Sequence, residues 1–445
     1  MAVQAQPRTA SIPDTLRILT QVILPTYAKG PIIRRPGVVG FVDRFDLDTK
    51  AVRTMQGLRE KYGPGPLKMA VPFMSRAMVM EPEHVSDILE RTPEPFGTST
   101  DEKDAALSHF QPRGSLVSSG DERAVRRDLN ERALQADRPV HDHGQKFMDV
   151  INEEVRILLE QVDRKGGDLK WDPFFDAWFR VVRRVVFGDH MRDDKEMTDQ
   201  VFELRRQGNW AFFKPKNTKL RAEMHRLLED AIANASPDSL AGLMANMPAD
   251  GQNAPPDQVL QWLFAIDPAG MSVFRSLALL ATHSDAMERA RQEIRDDETG
   301  RQRMPFLRST VLESQRLWPT TPFLLRQSTT KTVWGDKNLP AKTGLIIFTP
   351  YFHRDTERLE FADRFAPEIW EDGRTTSHLS LVPFSAGPGI CPGRWVVLLL
   401  TGAFIAGLID GREVKIASQH RLGPDAPLPG TMDNYTLRFR VSPVA

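Results

Sequence analysis

The only cysteine of the 445-residue chain, Cys391, lies in a segment that combines its thiol with closely spaced glycines and prolines. The segment reads PFSAGPGICPGR over residues 383–394. Glycine favours positive φ and proline removes a backbone donor, so the thiol is predicted to lie on a loop. The apolar helical pattern of residues 395–405 follows, which places the thiol near a helix N-terminus whose free N–H groups stabilise a thiolate. The pattern predicts a metal ligand or a nucleophile, and a buried cysteine acting as a small hydrophobe is the alternative.

Four residues of this loop resemble the heme-ligand loop of the cytochrome P-450 family, in particular its soluble bacterial members: Phe384, Gly387, Cys391 and Gly393. In that family a cysteine thiolate is the axial ligand of the heme iron. The resemblance implies that Cys391 binds the iron of heme b, iron protoporphyrin IX. It also implies that Phe384 packs beside the sulfur, while Gly387 and Gly393 permit a tight loop whose backbone N–H groups tune the thiolate.

Composition excludes several other functions. The chain has 59 basic and 59 acidic residues, so no global basic field favours binding to nucleic acid or anionic lipid. One cysteine allows no internal disulfide and fits a reducing compartment. No apolar stretch reaches the roughly 20 residues of a membrane span, and residues 16–41, the nearest candidate, are interrupted by charges and prolines. We expect a cytoplasmic protein without a transmembrane segment or a nucleic-acid partner.

Helical periodicity dominates the chain. It predicts helices over residues 48–62, 86–91, 121–137, 142–165, 174–188, 194–213, 219–234, 256–283, 285–297, 306–318 and 393–410. Strands are predicted over 67–71, 77–79, 324–330, 344–352, 414–417 and 436–441, and loops over 92–115, 235–255 and 419–430. The predicted fold class is mainly α with small β-sheets. The resemblance implies a single large cytochrome P-450-like helical fold enclosing a heme, with residues 46–445 as the heme domain. Residues 1–45 are predicted to form an N-terminal arm, which either contacts a membrane surface or a partner or, as we favour, packs against the heme domain.

Glu313 and Arg316 lie three residues apart on a predicted helix, where a charge-assisted pair can form. Many surface helices contain this motif, so its value comes from its position upstream of Cys391. There it resembles a buried ion pair behind the heme. The resemblance implies a structural role, because breaking a buried pair leaves an uncompensated charge.

Residues 361–370 resemble the meander that separates this pair from the cysteine loop. The family has an arginine in the meander that completes a triad with the Glu-x-x-Arg pair, whereas this chain has Ile369. Arg364 and Arg374 are the two candidate replacements, and the sequence does not choose between them.

The resemblance also implies how the heme propionates are bound. Arg126, in a segment similar to the family's propionate-binding helix, and Arg326 are the predicted partners, through charge-assisted bonds. Two residues before the cysteine the family usually carries Arg or His, whereas this chain has Gly389. His378 is a possible substitute for that anchor, and a surface histidine is the alternative.

Residues 256–283 resemble the central helix that crosses the distal face of the heme. Family members commonly carry an acid and an alcohol there, which deliver protons to oxygen. In this chain Ala269 and Gly270 keep the small surface needed near a ligand, while Ser272 stands in place of the acid and Val273 in place of the alcohol. The usual proton relay is therefore predicted to be absent.

Several explanations for the missing relay remain open. Ser272 holds a water, or a substrate group supplies the proton. Alternatively the enzyme uses peroxide, rearranges an existing peroxide, or removes hydrogen atoms to couple or cyclise its substrate. Asp267 precedes a proline, Pro268, that removes a helix hydrogen bond. Asp267 is either a displaced acid or, as we favour, a partner of the backbone groups that the proline frees.

By resemblance, substrate contacts are expected from the central helix at Ala265 and from the strand that contains Phe323 and Leu324. Trp210 and Phe212 are further candidates. All five side chains are apolar, which favours a substrate with an apolar face. Core packing is the alternative for each of them.

The sequence therefore predicts a heme-thiolate oxidoreductase acting on a small organic molecule, by monooxygenation or by oxidative coupling or cyclisation, in natural-product metabolism. The resemblance implies electrons from a ferredoxin and ferredoxin reductase or a similar donor, with Arg394 on the face that meets an acidic partner. A peroxide-using or non-oxygenating enzyme is one alternative. A heme-binding protein without turnover is another, from a different functional class.

Overall fold

Helices make up most of the chain in the computed structural model, which describes residues 5–248 and 251–444. The α-helices are α1 (Ile12–Arg17), α2 (Leu24–Ala28), α3 (Pro36–Arg44), α4 (Leu47–Tyr62), α5 (Pro82–Glu90), α6 (Asp101–Leu107), α7 (Gly120–Ala133), α8 (Gly144–Arg164), α9 (Trp171–Phe187), α10 (Lys195–Gly208), α11 (Thr218–Ala233), α12 (Leu240–Ala245), α13 (Pro255–Thr282), α14 (Ser284–Arg295), α15 (Pro305–Leu317), α16 (Thr349–His353) and α17 (Arg394–Ile409). Each helix predicted from periodicity is present, with shifted ends. The mainly helical fold class is confirmed.

The strands are short and form small sheets. They are β1 (Arg8–Thr9), β2 (Leu67–Lys68), β3 (Arg76–Met78), β4 (Phe96–Gly97), β5 (Asp168–Lys170), β6 (Phe323–Ser328), β7 (Thr332–Trp334), β8 (Lys337–Leu339), β9 (Gly344–Phe348), β10 (Arg412–Ile416) and β11 (Arg438–Pro443). The largest sheet has the order β1-β2-β3-β9-β6-β4, another has the order β10-β11-β5, and β7 pairs with β8. In the largest sheet β6 runs antiparallel to β9 and sets Arg326 opposite Leu345.

Three short helices correct the sequence prediction. The predicted loop over 92–115 contains α6, and the predicted loop over 235–255 contains α12. The predicted strand over 344–352 ends at Phe348 and continues as α16, with Pro350 in the first turn. Helices of one or two turns present too few residues for a periodic pattern, and proline at a helix start loses no hydrogen bond.

The predicted N-terminal arm shares a core with the rest of the fold. Its strand β1 pairs in parallel with β2 and so extends the largest sheet. Ile18 and Val22 are fully buried in the same apolar cluster as Ile347 and Phe348 of β9. A polar anchor adds to this packing, because Lys29 forms a buried ion pair with Asp48 of α4. Residues 5–45 therefore pack against the rest of the fold and share its sheet and apolar core.

The main apolar core gathers around α13 and α17, which pack against α8, α9 and α15. By length and composition α13 could cross a membrane, but 83% of its most apolar window is buried inside the fold. Such a helix is equally the core helix of a globular protein, so α13 gives only weak support to a membrane span. Its position in the core makes it the central wall of the site described next.

Candidate active site

A large cavity lies between α13, β6, the Cys391 loop and the N-terminal segment. Its volume is about 1220 Å³, above the roughly 300–1,000 Å³ of ordinary small-molecule sites. Most of the side chains that line it are apolar. Predicted site residues that line it are Cys391, Phe384, Gly393, Arg326, Ala265, Asp267, Ala269, Phe323, Leu324, Trp210 and Phe212. The fold therefore brings together residues that are up to 183 positions apart in the sequence, from Trp210 to Gly393.

Cys391 lies on a loop, as its neighbours predict, directly before α17. Its backbone N–H donates to the carbonyl of Phe384 at 2.9 Å, which closes the loop. Burial raises the pKa of the Cys391 thiol, while N–H groups of Gly393 and Arg394 hydrogen-bond to the sulfur and act in the opposite direction, together with the charge of Arg127. The expected effect of the helix start is present, but in the free protein burial outweighs it. Binding of a metal cation would favour the thiolate.

The two predicted loop glycines have different structural roles. Gly387 has a φ of +59°, and a Cβ at this position would collide with the carbonyl oxygen of Leu89. Gly393 has an ordinary φ, and a Cβ there would lie 3.7 Å from Leu134 and 4.0 Å from the Cys391 sulfur, at van der Waals distance. The tight turn therefore requires Gly387. Gly393 contributes its N–H group to the sulfur.

Arg326 occupies the space beside Gly389. A Cβ at Gly389 would lie only 2.7 Å from Nη2 of Arg326. The guanidinium is buried and donates to Thr92 Oγ1 at 3.0 Å and to Ser385 Oγ at 3.2 Å. The glycine that departs from the family pattern is therefore the residue that makes room for this arginine. Burial lowers the pKa of Arg326 to about 10, so it stays charged at neutral pH.

Two further cations lie near Arg326 and were not predicted. Lys103 of α6 lines the cavity and donates to the carbonyls of Thr98 and Leu325, while Arg123 of α7 donates to Thr98 Oγ1 at 3.0 Å. Burial and the charges of Arg326 and Arg123 lower the pKa of Lys103 well below its usual range. In the part of the chain that the structure describes, none of the three forms an ion pair with a carboxylate. The mixture of glycine, proline and a short helix in residues 92–115 hid Lys103 from sequence analysis.

The structure corrects two predicted propionate partners. Arg126 does not line the cavity, since its guanidinium bonds Ser118, the carbonyl of Gln252 and Glu122. Its neighbour Arg127 lines the cavity instead and donates to the carbonyl of Ile390 at 2.6 Å. One residue along a helix turns a side chain by about 100 degrees, so the choice between adjacent arginines needs the tertiary packing.

His378 is the second correction. Its ring contacts Phe361 edge-on, with centroids 5.6 Å apart, and it is not among the residues that line the cavity. The anchor that this chain lacks at Gly389 is therefore not replaced from His378. Arg326 fills that space instead.

Glu313 and Arg316 form a completely buried ion pair with Nη2–Oε1 of 2.6 Å. Arg316 also donates to the carbonyls of His353, Phe361, Ala362 and Arg364. Glu313 accepts the backbone N–H of Ala366 at 2.8 Å and the indole N–H of Trp370 at 3.1 Å. Every strong donor and acceptor of the pair is thus engaged, and the pair ties α15 to the meander.

Neither predicted arginine completes this pair. Arg364 contributes its carbonyl, and Arg374 instead bonds Asp372 and Glu368 near the surface. Trp370, next to Ile369, donates to Glu313 and was missed by the sequence analysis. An indole N–H is a donor without charge, so a search restricted to arginine could not find it.

The face of α13 that lines the cavity agrees only in part with the predicted one. Ala265, Pro268 and Ala269 line it, whereas Gly270, Ser272 and Val273 do not. Gly270 instead faces Trp178 of α9, where a Cβ would lie 2.9 Å from the indole ring.

The side chains of Ser272 and Val273 are likewise buried away from the cavity. Ser272 is 1% exposed, and its hydroxyl lies 3.5 Å from the carbonyl of Pro268. Val273 is fully buried in the core. Of the residues named from the sequence, Ala265 and Ala269 line the cavity, whereas Gly270, Ser272 and Val273 lie on the core side of the helix.

Asp267 lines the cavity. Its carboxylate forms an ion pair with Arg205 of α10 at 2.5 Å, rather than bonding the backbone near Pro268 as we favoured, and its role as a displaced acid stays a prediction. The carbonyl of Ile266 accepts the indole N–H of Trp178 at 3.2 Å. Asp267 therefore belongs to a polar region of the cavity wall.

These residues fit a heme. The Cys391 thiol at the cavity wall provides an axial ligand for iron, with N–H donors already directed at its sulfur. Arg326, Lys103 and Arg127 line the cavity as basic side chains, and the first two lack a carboxylate partner among the described residues. A bound anion would favour the charged form of Lys103. Buried charges are normally paired. Anionic propionates would supply the missing negative charge.

Comparison with known proteins agrees with this geometry. The cytochrome P450 family profile matches residues 37–236 and 263–421. Cytochrome P450 714B3 of Zea mays is 24% identical over 343 residues, covering 67% of this chain and 64% of its own length. Amorpha-4,11-diene 12-monooxygenase of Artemisia annua is 25% identical over 291 residues, covering 56% of this chain and 59% of its own. This chain thus matches less than two thirds of the length of either relative.

Solved structures share the fold. The structure described as "Retinoic acid bound cyanobacterial CYP120A1" superposes with a TM-score of 0.71 at 20% identity, covering 87% of this chain and 94% of that chain. The "cytochrome P450DA heme domain" gives a TM-score of 0.70 at 16% identity, covering 90% and 92%. Since the profile match spans most of the sequence and the structure places a single cysteine beside a cavity that fits a heme, the chain belongs to the cytochrome P450 family, and its cofactor is heme b.

Proposed function

We propose that this protein is a heme-thiolate monooxygenase that oxidises a small, largely apolar organic molecule. The observation that carries the proposal is the position of Cys391, whose sulfur meets N–H donors at the wall of a cavity of about 1220 Å³. Phe384 and Gly393 line the same wall. When bound, the heme supplies the iron that activates dioxygen or peroxide.

The chain's own residues position the reactants. Arg326, Lys103 and Arg127 would hold the propionates, and the pair of Glu313 and Arg316 fixes the meander. Ala265 and Ala269 leave open space on the α13 face of the cavity, while Phe323 and Leu324 of β6 supply apolar surface for the substrate. Such a wall orients a substrate by shape and excludes water from its reacting carbon.

A second candidate is an enzyme that uses peroxide, or that rearranges or couples its substrate without inserting oxygen. Its specific support is the cavity face of α13, where Ala265, Pro268 and Ala269 carry no ionisable or hydroxyl group. The nearest acid on that face, Asp267, is paired with Arg205. Proton delivery to oxygen would then depend on water or on a group of the substrate.

Partners and location are part of the same proposal. Electrons would come from a ferredoxin and its reductase or a similar donor, with Arg394 beside the cysteine available for an acidic partner. A cytoplasmic location fits the single cysteine and the burial of α13. By analogy with the relative named amorpha-4,11-diene 12-monooxygenase, the proposal includes a role in natural-product metabolism.

The test is the reduced, carbon-monoxide-bound difference spectrum of the purified protein and of Cys391→Ala. We expect a strongly red-shifted Soret band in the wild type and its loss in the variant. A wild-type protein without heme, or a spectrum that the substitution leaves unchanged, would refute the assignment.

The two candidates are separated by the oxidant. Product formed with a ferredoxin system, in step with consumption of reducing equivalents, supports the monooxygenase. Product formed only with hydrogen peroxide supports the second candidate. A thiolate-bound heme with no product in either assay would instead favour a heme-binding protein without turnover.

A further inference from the structure

Arg34 is a cation of the cavity wall that is bonded only to neutral groups. It lies in the loop between α2 and α3, and its guanidinium donates from Nη1 to the carbonyl of Gly30 at 2.6 Å and from Nη2 to the carbonyl of Thr320 at 2.7 Å. Among the described residues it has no carboxylate within ion-pair distance. A desolvated guanidinium without a counter-charge is costly.

The two carboxylates whose negative charge acts on Arg34, Asp48 and Asp267, already form ion pairs with other cations. Asp48 pairs with Lys29 and accepts the hydroxyl of Thr431 at 2.5 Å. Asp267 pairs with Arg205 at 2.5 Å. These two carboxylates each have a cation of their own, so Arg34 remains as an additional positive charge.

Arg275 lies near Arg34 as well, and the positive charge of Arg34 repels that of Arg275. Burial, more than this repulsion, lowers the pKa of Arg275 to about 10 and also lowers the pKa of Arg34. Arg275 donates to the carbonyls of Trp318 and Met432 and, among the described residues, forms no ion pair. Lys29 and Arg205 are paired with Asp48 and Asp267, whereas Arg34 is bonded only to carbonyls and lines the cavity.

The loop that carries Arg34 is held rigidly. Asn209, directly after α10, accepts the backbone N–H groups of Ile32 and Ile33 at 2.9 and 3.1 Å and donates to the carbonyl of Ile33 at 2.8 Å. Gly30 has a φ of +96°, and a Cβ there would collide with the carbonyl of Ile33. The two carbonyl bonds of Arg34 fix its guanidinium further. The cation is therefore pre-organised in the cavity wall, which lowers the cost of binding a ligand.

Tyr435 lies on the same stretch of wall. Burial, together with the negative charge of Asp267, raises the pKa of Tyr435 to about 12, so its hydroxyl is a neutral hydrogen-bond donor at physiological pH. Its nearest recorded partner is the sulfur of Met271 at 3.7 Å, a weak acceptor. A guanidinium and a phenol on one wall match the acceptor oxygens of a carboxylate.

We propose that Arg34, assisted by Tyr435, binds a carboxylate group of the substrate, so that the enzyme acts on an apolar carboxylic acid. The inference rests on the proposed function for the oxidation itself and adds the chemical class of the substrate. Apolar residues line the same cavity, among them Ile23, Leu24, Phe175, Phe264, Phe323 and Leu324. The guanidinium of Arg34, which has no carboxylate partner among the described residues, suits a monoanion.

The test compares acids with uncharged analogues of the same shape on the heme-loaded, full-length protein. Octanoic, dodecanoic and hexadecanoic acids are each titrated against the corresponding methyl ester by isothermal calorimetry. For at least one chain length we expect the acid to bind roughly 10- to 100-fold more tightly, the range of a hydrogen-bonded charge. In Arg34→Gln, which keeps an amide donor but no charge, this preference should disappear, while Arg34→Lys should retain part of it.

Arg35→Gln is the matched control, because it removes the same charge at the next position. In the wild type the Arg35 guanidinium donates to the carbonyls of Tyr27 and Ala28 and lies 5.3 Å from the ring centroid of Trp210. This variant should keep the acid preference. Thermal unfolding of all three variants shows whether each is folded, and Arg34→Lys maintains the test if Arg34→Gln is not.

Three results would overturn the assignment: no acid that binds better than its ester in the wild type, a preference that survives in Arg34→Gln, or an equal loss in Arg35→Gln. Calorimetry does not depend on the heme spectrum. A protein that lacks the thiolate Soret band but shows the acid preference would refute the proposed oxidation and leave carboxylate binding intact. The reverse result would refute only the binding of a carboxylate by Arg34.

Discussion

At the scale of single residues, side chains that are distant in sequence replace one another in the site, either by filling the same space or by bonding the same partner. Gly389 and Arg326 are 63 positions apart, yet the absence of a side chain at one is what admits the guanidinium of the other. Trp370 similarly takes the place of a charged group beside Glu313. In both cases a departure from the family pattern is compensated by a neighbour in space.

The exchange between Gly389 and Arg326 predicts a non-additive effect on heme binding. Gly389→His forces the histidine against Arg326, and Arg326→Ala removes a cation, so each single variant should lose roughly tenfold or more in heme affinity. In the double variant the histidine occupies the vacated space, so the combined loss should be smaller than the sum. Heme transfer to excess apomyoglobin measures the affinity. Strict additivity would contradict the exchange.

The buried pair predicts a graded loss of stability. Glu313→Gln leaves Arg316 buried without a counter-charge and should cost about 3–5 kcal/mol of unfolding free energy. Trp370→Phe leaves one acceptor of Glu313 unsatisfied and should cost about 1–3 kcal/mol. Arg374→Gln, whose pairs lie near the surface, is the control at about 0–1 kcal/mol. Urea denaturation measures the unfolding free energy. A larger loss in Arg374→Gln than in Trp370→Phe would argue against the bonding of Trp370 to the pair of Glu313 and Arg316.

At the scale of elements, α13 decides which side chains reach the cavity. Its core face packs on α9, where the fully buried Trp178 fills the space at Gly270 and bonds the carbonyl of Ile266. Its cavity face presents Ala265 and Ala269. The phase of this helix is therefore set by the aromatic ring behind it.

This packing predicts opposite effects for two glycines in helices. Gly270→Ala places a methyl group against Trp178 and should destabilise the fold by about 1–3 kcal/mol. Gly37→Ala in α3, where a Cβ meets nothing within 4 Å, should stabilise it by about 0.5–1 kcal/mol. Chemical denaturation of both variants checks the prediction. If Gly270→Ala left stability unchanged and instead blocked ligand binding, the glycine would face the cavity after all.

At the scale of the whole molecule, the N-terminal segment, the sheet, the helical core and the cysteine loop meet around one cavity. Residues as early as Leu19 and as late as Tyr435 line it. Buried polar groups join these parts, among them His353, which accepts the N–H of Val382 at 3.1 Å just upstream of the cysteine loop. Global stability therefore responds to the protonation of such groups.

His353 predicts a loss of stability in acid. Burial and, secondarily, the charge of Arg316 lower its pKa from 6.5 to about 3 in the folded protein. Since the unfolded chain binds the proton more readily, this contribution is fully present above about pH 6.5 and is lost as the pH falls toward 3. Between about pH 7.5 and pH 4.5 it should fall by roughly 3 kcal/mol.

Urea unfolding at the two pH values measures this change, and His353→Gln should remove that part of the pH dependence while keeping an acceptor for Val382. An unaltered dependence in the variant would mean that other groups, such as His141, whose pKa burial lowers to about 4, account for the acid sensitivity.

The sequence by itself determined the features that depend on local order. Periodicity located the long helices, since apolar residues must repeat every three or four positions to bury one face. The spacing of glycines and prolines around Cys391 identified the loop and the family, because that backbone conformation is encoded by adjacent residues. The motif of Glu313 and Arg316 likewise lies within a single turn of helix.

Only the tertiary structure decided which neighbouring side chains enter the site. Arg127 rather than Arg126 lines the cavity, Ala265 and Pro268 replace Ser272 and Val273 on its α13 face, and Lys103 and Arg34 contribute charges that no local pattern marks. These choices depend on rotation of a helix about its axis and on contacts between segments hundreds of residues apart. Such contacts are set by the packing of the complete core, which a pattern confined to one segment does not encode.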